Sequence, residues 1–394
     1  EHLDAIKDNL NKNMLYWLTG NEQKNGFHSY NDKTKNASTT EPKEVEINDD
    51  DPYNIIYSSG TTGLPKGIVL SHNTRANYCT MCANYFRVHI DSVVLQTGSI
   101  VFNGAFLTLM PAFYLGATYI LEPSFKPDKL VDLIKQERVT HMMLVPSQII
   151  AMLEQKQFKL PELSSVEMIL TVGAPLHQIY KDELDKRVPK VFYELYGLTE
   201  GFFTVLDYTD FKRKPNSVGN PVQFSQMRIV DDTGKDVKQG EIGEIIGKSP
   251  FLMTHYYKDP KRTAEAVKQG WLYSGDLGYT DEQGFLYLAD RKKDMIISGG
   301  INVYPNDIEA IISQHKSVVE VAVFGVAHPE WGETPVAAVI LRNNDISEQE
   351  LKEWVNQRVE ARYQKLSKVI FLDNFPRSSA GKTLKRELRE TFAK

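Results

Sequence analysis

From residue 52 onward, short apolar runs alternate with stretches of helical period, the pattern of an α/β fold. Residues 53–57 read as a strand running into a Gly/Ser/Thr loop, 129–136 as a helix and 142–145 as a strand. A strand over 166–172 ends at Gly173-Ala174-Pro175, and one over 192–195 ends at Tyr196-Gly197-Leu198-Thr199-Glu200. Three loops thus follow three strands. Ligands of α/β sheets collect at the carboxyl ends of strands, so the three loops are expected to border one crevice.

Further on the pattern changes twice. Short runs at 227–230, 243–246 and 284–288, separated by Asp-Asp-Thr-Gly and Asp-Glu-Gln-Gly turns, predict a small β subdomain over about 215–290. After residues 290–294, a helix is expected over 306–314, with Asn306 as its cap and Ile308, Ile311 and Ile312 on one face. Strands follow at 319–323 and 335–341. Ser347-Glu348-Gln349-Glu350 is a capping box opening a helix with Leu351, Trp354, Val355 and Val359 on its apolar face. The expected organisation is a polar amino-terminal segment (1–51), a large α/β domain (52–291) and a small α+β C-terminal domain (292–394).

Composition narrows the class. Of 394 residues, 41% are hydrophobic and 25% charged, ordinary for a globular chain of two or three domains. A formal net charge of −5 argues against a surface built for nucleic-acid phosphates, so no nucleic-acid partner is expected. The two cysteines, Cys79 and Cys82, exclude a disulfide framework, and a zinc site would need a second ligand pair. Residues 77–86 read instead as a buried helix. So few cysteines fit a reducing compartment, and a cytoplasmic location is expected.

The stretch from Ser92 to Leu121 carries no charge, but Gln96, Asn103, Pro111 and several glycines interrupt it. A buried helix followed by a strand over 117–121 is expected rather than a membrane span. Peripheral membrane contact and an oligomeric state are left open. The chain opens on Glu1-His2-Leu3-Asp4 without an apolar signal segment. Residues 21–51 have the polar composition of a linker or surface loop.

Candidate chemistry begins with Tyr57-Ser58-Ser59-Gly60-Thr61-Thr62-Gly63-Leu64-Pro65-Lys66-Gly67. Glycines let backbone N–H groups approach phosphate oxygens. The hydroxyls of Ser58, Ser59, Thr61 and Thr62 add donors, and Lys66 adds positive charge. This is not the P-loop pattern GxxxxGK[ST], because Gly67 stands where Ser or Thr should be.

The loop resembles the phosphate loop of the acyl-adenylate-forming superfamily, which includes acyl-CoA synthetases, adenylation domains and luciferases. The superfamily's other motifs follow in order over nearly everything after residue 50. Gly173-Ala174-Pro175-Leu176 is similar to the adenine-side loop. Tyr196-Gly197-Leu198-Thr199-Glu200 matches the next signature, in which the tyrosine stacks on adenine, the threonine contacts the α-phosphate and the glutamate holds Mg²⁺. Each role suits its side chain: an aromatic face for a base, a hydroxyl for a phosphate, a carboxylate for a hard cation. Asp276, in Tyr273-Ser274-Gly275-Asp276-Leu277-Gly278, and Arg291 match the residues that reach the ribose. Lys293 aligns with the hinge about which the small domain rotates, and Ser298-Gly299-Gly300 with a loop lining the pantetheine tunnel. Lys382, in Pro376-Arg377-Ser378-Ser379-Ala380-Gly381-Lys382, matches the catalytic lysine.

The resemblance implies a ligase that uses ATP, Mg²⁺ and coenzyme A to activate a carboxylic acid. The uncharged 92–121 segment favours a medium- or long-chain fatty acid. An aryl or other small acid, or a carrier protein as acceptor, are the alternatives. The superfamily's amino-terminal part is missing, so the chain is expected to be a fragment. Three positions depart from the family pattern: Asn103 stands for a histidine, Val172 for a second glycine and His255 for a glycine.

Overall fold

The computed structural model describes residues 10, 11, 13–20, 23–58, 65–174, 176–343, 345–377 and 383–392. The chain divides into two compact units, 1–47 and 48–394. In the first, Trp17–Leu18 pairs in parallel with His28–Ser29, and Ser29 caps the short helix Tyr30–Thr34 by accepting from the Asp32 amide at 3.2 Å. None of its described residues is buried, in line with its polar composition.

The second unit opens with a hairpin. β1 (Pro52–Ser58) runs antiparallel to β2 (Lys66–Ser71), with Ile56 opposite Ile68 and Ser58 opposite Lys66. The strand expected at 53–57 is present, but it does not join the sheet that carries the other two loops. Beyond its loop the chain returns as the antiparallel partner β2. A helical stretch over 72–86 follows, with one wide turn of π type at Tyr78–Cys82. Cys82 is buried beside Phe86, and desolvation pushes its thiol far above the usual range.

Five parallel strands alternate with helices over the next hundred or so residues. In chain order they are β3 (Val93–Thr97), α1 (Asn103–Leu115), β4 (Thr118–Glu122), α2 (Pro127–Glu137), β5 (His141–Leu144), α3 (Pro146–Leu153), β6 (Met168–Val172), α4 (Gln178–Arg187) and β7 (Phe192–Gly197). The antiparallel β8 (Phe203–Asp207) and the short strand Asn220–Pro221 complete a seven-stranded sheet. Its order is Asn220–Pro221, β8, β7, β6, β5, β3, β4.

Both faces are covered, which is why these strands read as continuous apolar runs. Successive side chains point to opposite faces. Leu95, Met142, Leu144 and Ile169 pack on α2, α3 and α4, through Ile134, Ile149 and Leu184. Val94, Met143, Met168 and Leu170 pack on the other side with Tyr78, Phe86 and Leu107. The uncharged 92–121 stretch is thus β3, α1 and β4. Among the described residues no helix is long and apolar enough to cross a membrane.

Next come β9 (Gln226–Val230), β10 (Gly243–Lys248), β11 (His255–Tyr256), β12 (Trp271–Thr280) and β13 (Leu286–Arg291). β9, β10, β12 and β13 form an antiparallel sheet with the short strand Val267–Lys268, whereas β11 crosses to pair with β2. The last part holds β14 (Ile296–Ser298), β15 (Ile301–Val303), α5 (Pro305–Ile312), β16 (Val318–His328), β17 (Gly332–Leu341), α6 (Glu348–Asn356), β18 (Lys368–Phe371) and α7 (Lys385–Phe392). In β17, Ala337 and Val339 face α5 and α6, while Val336 and Ala338 face α7. The Ser347–Glu350 capping box is formed. Asn306 is not the cap of α5: Tyr304 holds that position, because Pro305 is the first helical residue. Asn306 instead donates its backbone amide to Asp290 Oδ2 at 3.0 Å and its side-chain amide to the Ala289 carbonyl at 2.7 Å.

Candidate active site

Two side-chain clusters assemble around the carboxyl end of β7. The first joins Lys66, Glu200 and Tyr256. Lys66 is the first residue of β2, and Tyr256 on β11 lies opposite Ile68, two residues along on the same face. Register therefore brings the tyrosine ring to the lysine, whose Nζ sits 4.8 Å from the ring centre. Lys66 donates to Glu200 Oε1 and, at 3.0 Å, to the Tyr256 hydroxyl oxygen. Tyr256 in turn donates to the same Oε1 at 2.6 Å.

Glu200 is held where it is by its neighbour. Gly201 has φ of +109°, and a Cβ there would fall 1.8 Å from the Phe251 carbonyl oxygen, so only glycine fits the turn. The Met253 amide also donates to the Glu200 carbonyl at 2.8 Å. Burial and the adjacent Glu200 charge push the Tyr256 hydroxyl far above its ordinary range, which keeps it a donor.

The second cluster joins Tyr196, Asp276 and Arg291. Tyr196 donates to Asp276 Oδ2 at 2.8 Å, and Arg291 Nε lies 3.7 Å from Asp276 Oδ1. Asp276 and Arg291 are direct register partners of β12 and β13, so the sheet itself sets their separation. Burial, then the Asp276 charge, raise the Tyr196 hydroxyl well above its usual value. Glu244 supports the turn beneath: it accepts from the Gly275 amide at 3.2 Å and from Lys292 Nζ at 3.1 Å.

The other expected residues are placed as follows. Thr199 is half-buried and precedes Glu200 in the chain. Gly197 is required by packing, because a Cβ would fall 2.4 Å from the Phe203 Cβ. Gly173 has φ of +99°, and Ala174 beside it is exposed. Ser58 ends β1, and its buried Oγ has no hydrogen-bond partner among the described residues. Ser59, Gly60, Thr61, Thr62, Gly63, Pro175 and Lys382 lie outside the described residues. Arg377 and Thr383, on either side of the expected lysine loop, pair across an antiparallel bridge.

Lys293 is exposed, with its ammonium pKa lowered chiefly by desolvation against the opposing pull of Asp294. Ser298, Gly299 and Gly300 form the tight turn between β14 and β15, with φ of +60° and +82° at the two glycines. Gly299 donates to the Trp331 carbonyl at 2.7 Å, and Ser298 is buried. The described geometry joins these three to neither cluster.

Sequence reasoning missed Tyr256, Glu244 and one buried pair. Lys181 on α4 donates to Glu194 Oε2, and the Leu176 amide donates to Glu194 Oε1 at 3.5 Å, tying the loop after Gly173 to β7. Glu194 stands two residues before Tyr196 inside an apolar strand, and that is the signal that could have flagged it. At the departures from pattern, Asn103 donates to the Tyr78 hydroxyl at 3.0 Å, and Gly104 lies against Met143 and Val172. His255 is exposed beside the Thr254 hydroxyl, and nothing in the structure explains its choice.

A doubly covered α/β sheet with a phosphate-type loop, a buried carboxylate–lysine cluster and an Asp–Arg–Tyr cluster defines a nucleotide-dependent enzyme. A family model described as AMP-binding enzyme matches residues 4–257, and one described as AMP-binding enzyme C-terminal domain matches 307–382. An indoleacetate–CoA ligase of Aromatoleum aromaticum is 34% identical over 397 residues, covering 100% of this chain and 77% of its own. A long-chain-fatty-acid–CoA ligase of Mycobacterium tuberculosis is 36% identical over 371 residues, covering 93% of this chain and 73% of its own. The crystal structure of ATP-bound MatB from Rhodopseudomonas palustris superposes with a TM-score of 0.87 at 32% identity, over 93% of this chain and 73% of that one. The chain belongs to the AMP-binding enzyme family, the acyl-adenylate-forming superfamily. Within it, the chain is an AMP-forming acid–CoA ligase.

Proposed function

We propose that this ligase runs two half-reactions at the site bordered by the two clusters. A carboxylate oxygen attacks the α-phosphorus of ATP, the bond to the bridging oxygen breaks, and pyrophosphate leaves with the electron pair. The thiolate of coenzyme A then attacks the acyl carbon, and AMP leaves. The observation that carries this reading is that Lys66 and Glu200, 134 residues apart, meet, while Tyr196, four residues before Glu200, gathers Asp276, which pairs with Arg291.

The roles follow from the chemistry of each group. Ser58, Ser59, Gly60, Thr61, Thr62, Gly63 and Lys66 hold the polyphosphate, and the orphaned Ser58 Oγ suits that task. Tyr196 and Gly173-Ala174-Pro175 take the adenine, Asp276 and Arg291 the ribose hydroxyls, and Thr199 the α-phosphate. Glu200 suits Mg²⁺: Oε2 carries no hydrogen bond among the described residues, and no group of three or more metal-ligating side chains gathers there. Magnesium is commonly held by one or two carboxylates plus substrate phosphates, and bound here it supplies charge neutralisation. Lys382 stabilises the charge that develops during adenylation. The large domain ends at residue 291, rotation about Lys293 separates the half-reactions, and Ser298, Gly299 and Gly300 serve coenzyme A.

The acid is a medium- or long-chain fatty acid, and the free thiols of Cys79 and Cys82 support action in the reducing cytoplasm. A Cβ at Gly104 would meet the apolar side chains of Met143 and Val172, which supports an apolar acyl group at the start of α1. A small aryl acid is the second reading, favoured by the identity to the indoleacetate ligase over the whole chain.

Carboxylate-dependent pyrophosphate release, with and without coenzyme A, tests this across acids of increasing length and across aryl acids. Turnover should peak with chains of medium or long length; a peak with aryl acids selects the second reading, and no turnover with any acid overturns both. Lys382→Ala should slow adenylation by about 100-fold or more while sparing thioester formation from supplied acyl adenylate. Equal loss in the two steps contradicts the domain-rotation mechanism.

A further inference from the structure

We propose that Tyr256 is a positioning residue for the cation-binding carboxylate, and that Lys66 holds the cation's place on Glu200 until a nucleotide draws it away. The proposal rests on the reading that Glu200 takes the metal and Lys66 the phosphates. It adds what those assignments leave open: how a buried carboxylate exists without its metal, and what aims it.

Glu200 is almost fully buried, and a buried carboxylate needs a compensating charge. Among the described residues, Lys66 is its one ion-pair partner. The two donors, Lys66 Nζ and the Tyr256 hydroxyl, both converge on Oε1. Oε2 accepts no hydrogen bond from the described residues, so the carboxylate has one engaged oxygen and one without a donor there.

The donors differ in what they can do next. Tyr256 is 3% exposed, fixed by strand pairing to β2, and its backbone amide donates to Thr263 Oγ1 at 2.9 Å. Its backbone is thereby tied down while its hydroxyl donates to Oε1. Lys66 is the flexible partner, with 22% of its side chain exposed at the start of β2, next to the phosphate-type loop.

An exchange of cations follows. Metal arriving alone meets an ammonium already on the carboxylate. Nucleotide arriving alone attracts that ammonium and strips Glu200 of its charge partner. Arriving together they suit the site: Lys66 moves to the phosphates, the metal takes Glu200, and the buried charge stays compensated throughout. Metal and nucleotide binding are therefore positively coupled, and linkage requires the coupling to be reciprocal. Tyr256 keeps Oε1 during the exchange and so keeps Oε2 aimed.

Binding measurements on the full chain test this without turnover. Free Mn²⁺ is followed by electron paramagnetic resonance, with and without ATP, in the absence of any acid; ATP binding is followed by calorimetry. In the unmodified protein, ATP should tighten Mn²⁺ binding about 10-fold or more, within the usual range of coupling. Lys66→Met should tighten nucleotide-free Mn²⁺ binding and collapse the coupling towards unity. Tyr256→Phe keeps the ring and should weaken Mn²⁺ binding in the ATP complex about 10-fold, leaving metal-free ATP affinity unchanged. Nucleotide-free Mn²⁺ affinity unchanged or weaker in Lys66→Met overturns the placeholder role. Equal loss of metal-free ATP affinity and Mn²⁺ affinity in Tyr256→Phe overturns the positioning role. Glu200→Gln is the control for the underlying reading: if it leaves Mn²⁺ affinity in the ATP complex intact, the metal assignment itself fails, whatever the other two variants do.

Discussion

Two lysine–glutamate pairs hang from the same strand and its continuation, yet they are built for different ends. Lys181 and Glu194 are sealed, with side-chain exposures of 5% and 4%. Lys66 and Glu200 are sealed on one side only, at 22% and 5%. Glu194 takes its second donor from the backbone of Leu176, whereas Glu200 takes its second donor from a side chain on another sheet, Tyr256. Burial raises the Glu194 carboxyl pKa even against the pull of Lys181, a sign that desolvation is a large opposing effect in the closed pair. The closed pair anchors a loop. The open pair can exchange its cation.

The largest effect expected is on stability. Lys181→Ala leaves Glu194 buried without a charge partner and should cost about 3–5 kcal/mol, read from the midpoint of urea unfolding. Replacing both partners, Lys181→Met with Glu194→Gln, should restore much of that loss, because neither a bare charge nor a large void remains. Lys66→Ala also takes the ion-pair partner from a buried carboxylate, but Tyr256 still donates to Glu200 and solvent reaches the vacated side, so it should cost less, about 1–3 kcal/mol. Equal costs for the two lysine truncations would erase the distinction between a closed and an open pair.

Activity should sort the pairs the other way. Glu200→Gln should lower kcat/KM for adenylation by about 100-fold, the scale of removing one group aimed at developing charge. Its unfolding midpoint should barely move, because Tyr256 and Lys66 can still donate to the amide oxygen. The closed-pair double variant should act mainly on the KM for ATP, through the loop tied at Leu176. A large kcat effect there, at constant KM, would place Glu194 closer to the chemistry than its position suggests.

The contrast also marks how far the sequence could be read. Four of the five parallel strands, with α1 and α2, were legible because doubly covered strands are apolar runs and a helix keeps a 3.6-residue period; β3, α3 and α4 were not singled out. Lys66, Glu200, Tyr196, Asp276 and Arg291 were legible because each lies in a motif. Tyr256 was not, because its role depends on β11 leaving its neighbours and pairing with β2 across nearly two hundred residues of chain, a register no local pattern encodes. The cap of α5 was misplaced by two residues, because Pro305 starts the helix and leaves Asn306 free to bridge to Asp290.

Asp290 offers the finest test of what a buried carboxylate costs when, among the described residues, no cation is directly bonded to it. It is 6% exposed and accepts from the backbone amides of Asn306 and Arg291 at 3.0 and 2.7 Å. Lys385 stands near it but is paired at 2.6 Å with Glu309, whose charge opposes ionisation of Asp290. Burial is the largest influence, and the carboxyl is pushed up to about 6 from 3.8. The folded state then binds this proton more tightly than the unfolded chain does. Stability attached to the protonated form is complete below about pH 4, falls as pH rises through about 6, and stays lost above it. Asp290→Asn keeps an acceptor for Asn306 and removes the titration. It should flatten the pH dependence of the unfolding free energy between about pH 4 and 6.5 and raise stability at pH 7 by on the order of 1–2 kcal/mol. A stability loss at pH 7 would mean that the Asp290 charge is compensated by Lys385 after all, and that the C-terminal part holds a third lysine–carboxylate pair in looser form.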